Sequence, residues 1–100
     1  MRGLLIDGFR PERPHRLSPR VGLRPEPFGA LAYHFDNRRL VFLKSPELVA
    51  LVRSLDEHDS AAGAIDASVL DADPERTERL RRTYLRALAS LAEAEVICER

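Results

Sequence analysis

Apolar residues recur at every second position in the middle of the chain, as they do in extended strands. In the run ALAYHF at 30–35, Leu31, Tyr33 and Phe35 share one face, which we expect to be the core face. A second apolar run, LVFL at 40–43, follows a polar stretch with an aspartate and an asparagine, residues typical of turns. This pattern predicts a β-hairpin.

The length of the hairpin loop decides which residues of its second strand face the core. A three-residue loop at 37–39 places Val41 and Leu43 on the core face, together with the apolar residues of the first strand. Leu40 and Phe42 then point the other way. A two-residue loop reverses this assignment.

A shorter strand is predicted upstream, where polar and apolar residues alternate over 20–24. The PEP segment at 25–27 is interpreted as a connector, because proline is excluded from helix interiors and from interior strands. Residues 1–14 show no sustained period and are predicted to form a flexible N-terminal arm. One domain then spans residues 15–100.

Three helices are predicted after the hairpin. Ser45 before Pro46 is a helix start, and the same signal recurs at Asp73 before Pro74, while Ser60 is a candidate N-cap for a short second helix. The third helix is the longest. Its apolar stripe consists of Leu80, Tyr84, Leu85, Leu88, Leu91 and Ala92. Its polar face carries Arg76, Arg79, Arg82, Arg86 and Glu93.

The charge balance argues against nucleic acid as a partner. The 16 Lys and Arg residues are matched by 16 Asp and Glu residues, so the chain as a whole lacks the positive field that attracts phosphate. No apolar run approaches the roughly 18 residues of a membrane helix, and the first residues lack the apolar core of a signal peptide. We therefore expect a cytoplasmic protein with no membrane partner.

Residues with catalytic or metal-ligating spacing are not apparent in the sequence. His15, His34 and His58 are not spaced like metal ligands; we expect His15 and His58 in solvent and His34 on the less buried strand face. Cys98 is the only cysteine, so neither an intrachain disulfide nor a cysteine-held cluster can form. The sequence predicts a protein that is not an enzyme, with no metal and no cofactor.

The last predicted strand is apolar on both faces, which leaves two interpretations open. Leu40 and Phe42 either pack under the long helix, or the strand edge stays open for a peptide that adds as a further strand. In the second case main-chain hydrogen bonds supply affinity, and the arginines of the last helix attract acidic residues of the peptide.

The runs RPEPFGALAYHF at 24–35 and RLVFLKSP at 39–46 closely resemble the mycofactocin peptide chaperone family, which is similar to PqqD-type peptide-recognition domains. The resemblance covers about residues 15–97. It implies an α+β fold, a PqqD-like winged helix-turn-helix with a three-stranded antiparallel β-meander followed by three α-helices. It also implies binding of the leader of a ribosomally made precursor peptide, and delivery of that leader to a radical SAM (S-adenosylmethionine) maturase. Iron–sulfur chemistry belongs to that partner.

In this family the leader adds as a strand to the third strand, in the groove beside the third helix. Carried onto this chain, the strand positions are Arg39, Leu40, Val41, Phe42, Leu43 and Lys44. Helical periodicity adds the positions Arg82, Leu85, Arg86 and Ala89.

Two alternatives share the same layout of strands and helices. A winged-helix DNA-binding protein would need a basic recognition helix, which the zero net charge and the alanine-rich second helix disfavour. A structural subunit would dimerise through the exposed strand edge, so a monomer and a weak homodimer both remain open.

Overall fold

The structure, a computed structural model, describes residues 8–100. The predicted α+β fold is confirmed: a three-stranded antiparallel sheet precedes three helices. A second sheet of two short strands joins the two ends of the domain. The strands are β1 (His15–Leu17), β2 (Val21–Glu26), β3 (Gly29–His34), β4 (Leu40–Leu43) and β5 (Ile97–Glu99). The helices are α1 (Pro46–Ser54), α2 (Ala61–Ser68) and α3 (Pro74–Glu93), with a short 3₁₀ turn at Leu55–Glu57.

The larger sheet has the order β2-β3-β4, so β3 is central and both neighbours are edge strands. Its inner face contributes Ala30, Ala32 and Leu43 to the core, each at most 1% exposed. Val41 also packs against this core. Val41 and Leu43 therefore face the core, as expected for the three-residue loop, although the loop itself is longer and the predicted partners on β3 lie on the other face.

The predicted core face of β3 was wrong. Tyr33 is 38% exposed and Phe35 is 56% exposed, and β3 instead buries its alanines. The hairpin loop has four residues, 35–38, because the His34 N–H donates to the Arg39 carbonyl oxygen at 3.0 Å. This loop pairs Tyr33 with Leu40, so both lie on the outer face of the sheet.

Small residues on the inner face let α1 pack closely on β3. Gly29 marks a second close approach, between the start of β3 and the end of β4: a Cβ atom there would lie 2.2 Å from the carbonyl oxygen of Leu43, and its φ of +151° is one that glycine adopts without strain. Aromatic side chains therefore have no room on this face and lie on the other.

The PEP segment is not a connector, because β2 continues through Pro25 to Glu26. The Phe35 N–H donates to the Arg20 carbonyl oxygen at 2.9 Å, and the register places Pro25 opposite Ala30. Since hydrogen-bonded pairs alternate along antiparallel strands, Pro25 occupies a position whose nitrogen faces the outside of the sheet. An edge strand tolerates proline there.

The pairing of β1 with β5 was not predicted. His15 lies opposite Glu99 and Leu17 lies opposite Ile97. His15 is 2% exposed, not solvated as expected, and its Nδ1 lies 2.8 Å from the Arg13 carbonyl oxygen. Ile97 is 1% exposed and closes the core from this strand pair.

Residues 1–7 of the predicted arm lie outside the described residues. Within the remainder, Phe9 is 5% exposed and packs on the ring of His15, with 5.1 Å between centroids. The carbonyl oxygens of Pro11 and Arg13 accept the N–H groups of Ala62 and Ala61. Those amides open α2 and have no partner within the helix. The domain boundary at residue 15 stays a prediction.

The helix starts are confirmed. Ser45, Ser60 and Asp73 each accept a backbone N–H three residues further on, which satisfies amides in the first turn. In α3 the residues Tyr84, Leu88 and Leu91 are buried along the predicted stripe. No helix within residues 8–100 is long and apolar enough to cross a membrane.

Candidate peptide-binding site

The strand part of the predicted site lies at a free sheet edge. β4 pairs with β3 on one side only, and no strand within residues 8–100 pairs with its other side. Leu40 is 60% exposed and Phe42 is 58% exposed. The alternative in which these two side chains pack under the long helix is therefore wrong.

Hydrogen-bonded and non-hydrogen-bonded residue pairs alternate along the hairpin, and this alternation determines which backbone groups of β4 are free. Because His34 and Arg39 form a hydrogen-bonded pair, the register makes Val41 and Leu43 the β4 residues that bond to β3. The N–H and C=O groups of Leu40 and Phe42 point to the open side. Strand addition needs such a row of unpaired groups.

The opposite edge of the sheet is less suited to strand addition. Pro25 removes one donor from the free side of β2, whereas β4 contains no proline. β4 also has no charged residue between its ends, Leu40 and Leu43. Of the two edges of this sheet, β4 offers the continuous row of donors and acceptors.

The outer face of the sheet carries an apolar surface that the sequence interpretation missed. It consists of the side chains of Phe28, Tyr33, Phe35, Leu40 and Phe42, all exposed. Phe28 and Phe42 meet edge to face at 5.7 Å between centroids, as do Tyr33 and Phe35. The alternate positions in the sequence grouped Tyr33 and Phe35 on one face, but they did not show which side of the sheet that face occupies.

The helix part of the site forms one stripe on α3. Arg82 and Arg86 are exposed, while Leu85 and Ala89 are half-buried and pack on the core. Neither arginine forms an ion pair among the described residues, whereas Arg81 binds Asp66 at 2.9 Å. The predicted cationic stripe is thus available to a ligand.

β4 packs mainly on β3 and α1, and α3 packs mainly on α2 and β5. Val41 of β4 and Leu85 and Ala89 of α3 all contact the same core cluster. β4 and the α3 stripe therefore pack against the same hydrophobic core.

His34 holds the hairpin from beneath. It is 5% exposed, contrary to the expectation of a less buried position, and its Nδ1 accepts the N–H groups of Asp36 and Asn37 at 3.2 Å each. Two donors at Nδ1 place the ring proton of the neutral imidazole on Nε2. Nε2 lies 3.8 Å from Oε1 of Glu95, just after α3.

Among the clefts formed by residues 8–100 are two that lie elsewhere on the domain and are not lined by β4. One of about 420 Å³ is bordered by His15, His34 and Cys98, and another of about 380 Å³ lies between the three helices beside Tyr84. In the described part of the chain, no cluster of three or more His, Cys, Asp or Glu residues could hold a metal ion.

The charges around the sheet are unevenly paired. On the β2 side, Arg20 lies 3.4 Å from Asp36 and Arg24 lies 2.8 Å from Glu26. On the β4 side are three cations without an ion pair among residues 8–100, namely Arg38, Arg39 and Lys44. The open edge is therefore positively charged at both ends.

The chain is similar to known peptide chaperones over most of its length. The Peptide chaperone MftB family matches residues 14–98. Peptide chaperone MftB of Mycobacterium ulcerans (strain Agy99) is 44% identical over 89 residues, which cover 89% of this chain and 76% of the relative. Peptide chaperone MftB of Mycobacterium tuberculosis (strain ATCC 25618 / H37Rv) is 41% identical over 93 residues, 92% of this chain and 79% of the relative.

The protein of the same name from Mycolicibacterium smegmatis (strain ATCC 700084 / mc(2)155) is 39% identical over 89 residues, 89% of this chain and 81% of the relative. No solved structure matches the chain. The matched residues include all of β2, β3 and β4 and all three helices. The chain therefore belongs to the MftB peptide chaperone family of mycofactocin biosynthesis, a non-catalytic family.

Proposed function

We propose that this protein binds the leader of the mycofactocin precursor peptide as an added strand along β4 and presents it to a radical SAM maturase. The proposal rests on the free edge of β4. There the backbone groups of Leu40 and Phe42 point outward, while the edge of β2 is interrupted by Pro25. Family membership supports a peptide as the ligand.

The bound segment is short and extended. β4 has four residues, so the paired part of the leader spans about 13 Å at roughly 3.3 Å per residue. Alternate leader side chains lie beside Leu40 and Phe42 on the outer face. The others point to the side of Val41 and Leu43, where we place the stripe of α3.

Affinity and selectivity come from different parts of this site. Main-chain hydrogen bonds to β4 accept many sequences, so selectivity comes from side chains. Leu85 and Ala89 offer apolar contacts for the leader residues that point inward. Arg82, Arg86, Arg39 and Lys44 favour a leader with acidic residues, because these cations have no ion pair among the described residues.

The chaperone acts by positioning and takes no part in the reaction. Holding the leader beside the maturase raises the effective concentration of the core peptide at the reactive centre. The iron–sulfur chemistry belongs to the maturase. This domain fixes the position of the leader, and it sets the direction in which the core peptide extends from it.

A proline at position 42 tests strand addition directly. Phe42→Pro removes the N–H that faces the open edge but leaves the Val41 and Leu43 bonds to β3 in place. Phe42→Ala is the matched control, since it loses the same side chain and keeps the N–H. We expect the proline variant to bind a fluorescent leader peptide about tenfold more weakly than the alanine variant, by anisotropy titration.

Circular dichroism and urea unfolding establish that both variants keep the fold. Equal leader affinity of the proline and alanine variants would exclude strand addition at β4. If the wild-type protein does not bind the leader at all, the proposed function itself is rejected.

A further inference from the structure

Five of the six exposed large apolar side chains among the described residues lie together on or beside the outer face of the sheet. Contiguous apolar surface of this kind is unusual on a chain that acts alone. Peptide binding along the edge of β4 would involve only the margin of this apolar surface, at Leu40 and Phe42. Tyr33 and Phe35 lie further in, on the central strand and the hairpin loop, and peptide binding at β4 does not explain their exposure.

The outer face has one charged border. On the β2 side Asp36 and Glu26 neutralise the two arginines, Arg20 and Arg24. On the β4 side Arg38 and Lys44 have no ion pair within residues 8–100. The surface therefore presents an apolar centre and a cationic border beside the peptide edge.

We propose that the outer face is the docking surface for the maturase, which meets it with an apolar patch bordered by acidic residues. The inference rests on the proposed function, since it names the surface through which the bound leader is handed on. Charge complementarity selects the partner: Arg38 and Lys44 border the face and favour an acidic rim opposite. A second copy would bring an equally cationic border to the interface.

Continuity with the peptide edge supports the same partner. A leader strand paired with β4 extends the outer face by one strand, and its alternate side chains line up beside Leu40 and Phe42. A maturase on this face therefore contacts the chaperone and the leader together. By linkage, leader and maturase each strengthen the binding of the other.

Substitutions on the inner part of the face separate the two interactions. In Tyr33→Ser/Phe35→Ser the β4 edge is unchanged, because neither side chain belongs to it. We expect leader affinity within about twofold of wild type and affinity for the purified maturase lowered at least tenfold, measured by calorimetry. Leu70→Ser is the matched control: Leu70 is 77% exposed and lies in the turn after α2, outside the sheet, so its replacement should leave both affinities unchanged.

The outcomes distinguish this inference from the proposed function. Retained maturase affinity in the double variant overturns the docking surface while the leader site stands. If the wild-type chain sediments as a dimer and the double variant as a monomer, the outer face binds a second copy of the chain. That result also overturns the docking inference. Failure of wild type to bind leader rejects the proposed function by itself.

A photo-crosslink keeps the test decisive if the double variant loses its fold. The photoreactive residue p-benzoylphenylalanine replaces Phe35 in one protein and Leu70 in another. Both positions are exposed, so both proteins should fold and bind leader. We expect irradiation with the maturase to crosslink the protein labelled at position 35, more strongly when leader is present, and not the protein labelled at 70. Equal crosslinking at both positions, or none at 35, overturns the inference.

Discussion

The imidazole of His34 lies beneath the turn that joins β3 and β4, and it supports the path of the chain into the open edge strand β4. Its Nδ1 accepts the N–H groups of Asp36 and Asn37, which the four-residue loop leaves without strand partners. Arg38 then adopts a φ of 62°, and the chain enters β4. A buried histidine thus supports the open edge strand through the backbone.

Replacement of His34 should destabilise the domain. His34→Ala leaves two turn amides without their acceptor, so we expect the free energy of unfolding to fall by about 1–3 kcal/mol in urea denaturation. His34→Asn restores an acceptor at nearly the position of Nδ1 and should recover part of the loss. His58→Ala controls for removal of a half-buried imidazole whose ring forms no hydrogen bond among the described residues. Equal unfolding midpoints for His34→Ala and His58→Ala would contradict this role.

Secondary-structure elements follow closely from local signals in this chain. Each helix starts where a capping side chain precedes the first turn, and α1 and α3 both have proline at the first helical position. These signals act within a few residues, so they can be read without the fold. The β3–β4 hairpin has the same local character, except for the length of its loop.

Removal of the cap of α3 should weaken the helix that carries the cationic stripe. The Asp73 carboxylate accepts the N–H of Arg76 at 2.9 Å, and Asp73→Ala loses this bond and a favourable charge at the helix N-terminus. We expect about 1 kcal/mol of lost stability in urea unfolding, and little change for Asp73→Asn, which also caps helices. Asp71→Ala, an exposed neighbour in the same loop, should be neutral. A neutral Asp73→Ala would show that packing alone holds this end of α3.

At the scale of the whole molecule, the two ends of the domain are joined to each other. β1 pairs with β5, and Arg10 donates to both carboxylate oxygens of Glu99, at 3.0 and 2.9 Å. These hydrogen bonds hold the pKa of Glu99 below its ordinary value of 4.5. The same segment supplies carbonyl oxygens to Ala61 and Ala62 at the start of α2, so an ion pair at one end supports a helix start elsewhere.

A fall in pH should weaken the contact between the two ends of the domain, because it protonates Glu99. Because the pKa of Glu99 is lower in the folded chain than in the unfolded one, its contribution is present above pH 4.5 and is lost as the pH falls through the folded pKa. We expect hydrogen-exchange protection of the Ala61 and Ala62 amides, corrected for intrinsic rates, to decrease over that interval. Glu99→Gln should lower protection already at neutral pH and remove its pH dependence. Glu93→Gln, at an exposed position of α3, serves as the control; a wild-type pH profile in Glu99→Gln would disprove the link.

The sequence by itself determined the three strands of the larger sheet and the three helices, their order, the family resemblance and the apolar strand β4, whose edge we propose for peptide binding. All of these depend on spacing within short segments, where capping, turn chemistry and side-chain alternation act. The positions proposed for peptide contact, Arg39 to Lys44 and the α3 stripe, also came from the sequence.

Only the tertiary structure decided which side of each element is buried. Tyr33 of β3 and Phe35 in the hairpin loop face outward because α1 packs on the opposite side of β3, where Ala30 and Ala32 are buried, and the four-residue loop sets the matching register of β4. The β1–β5 pair joins residues eighty or more positions apart, and it encloses the buried His15. Contacts over that distance leave no period in the sequence, since they depend on the packed core that brings both ends together.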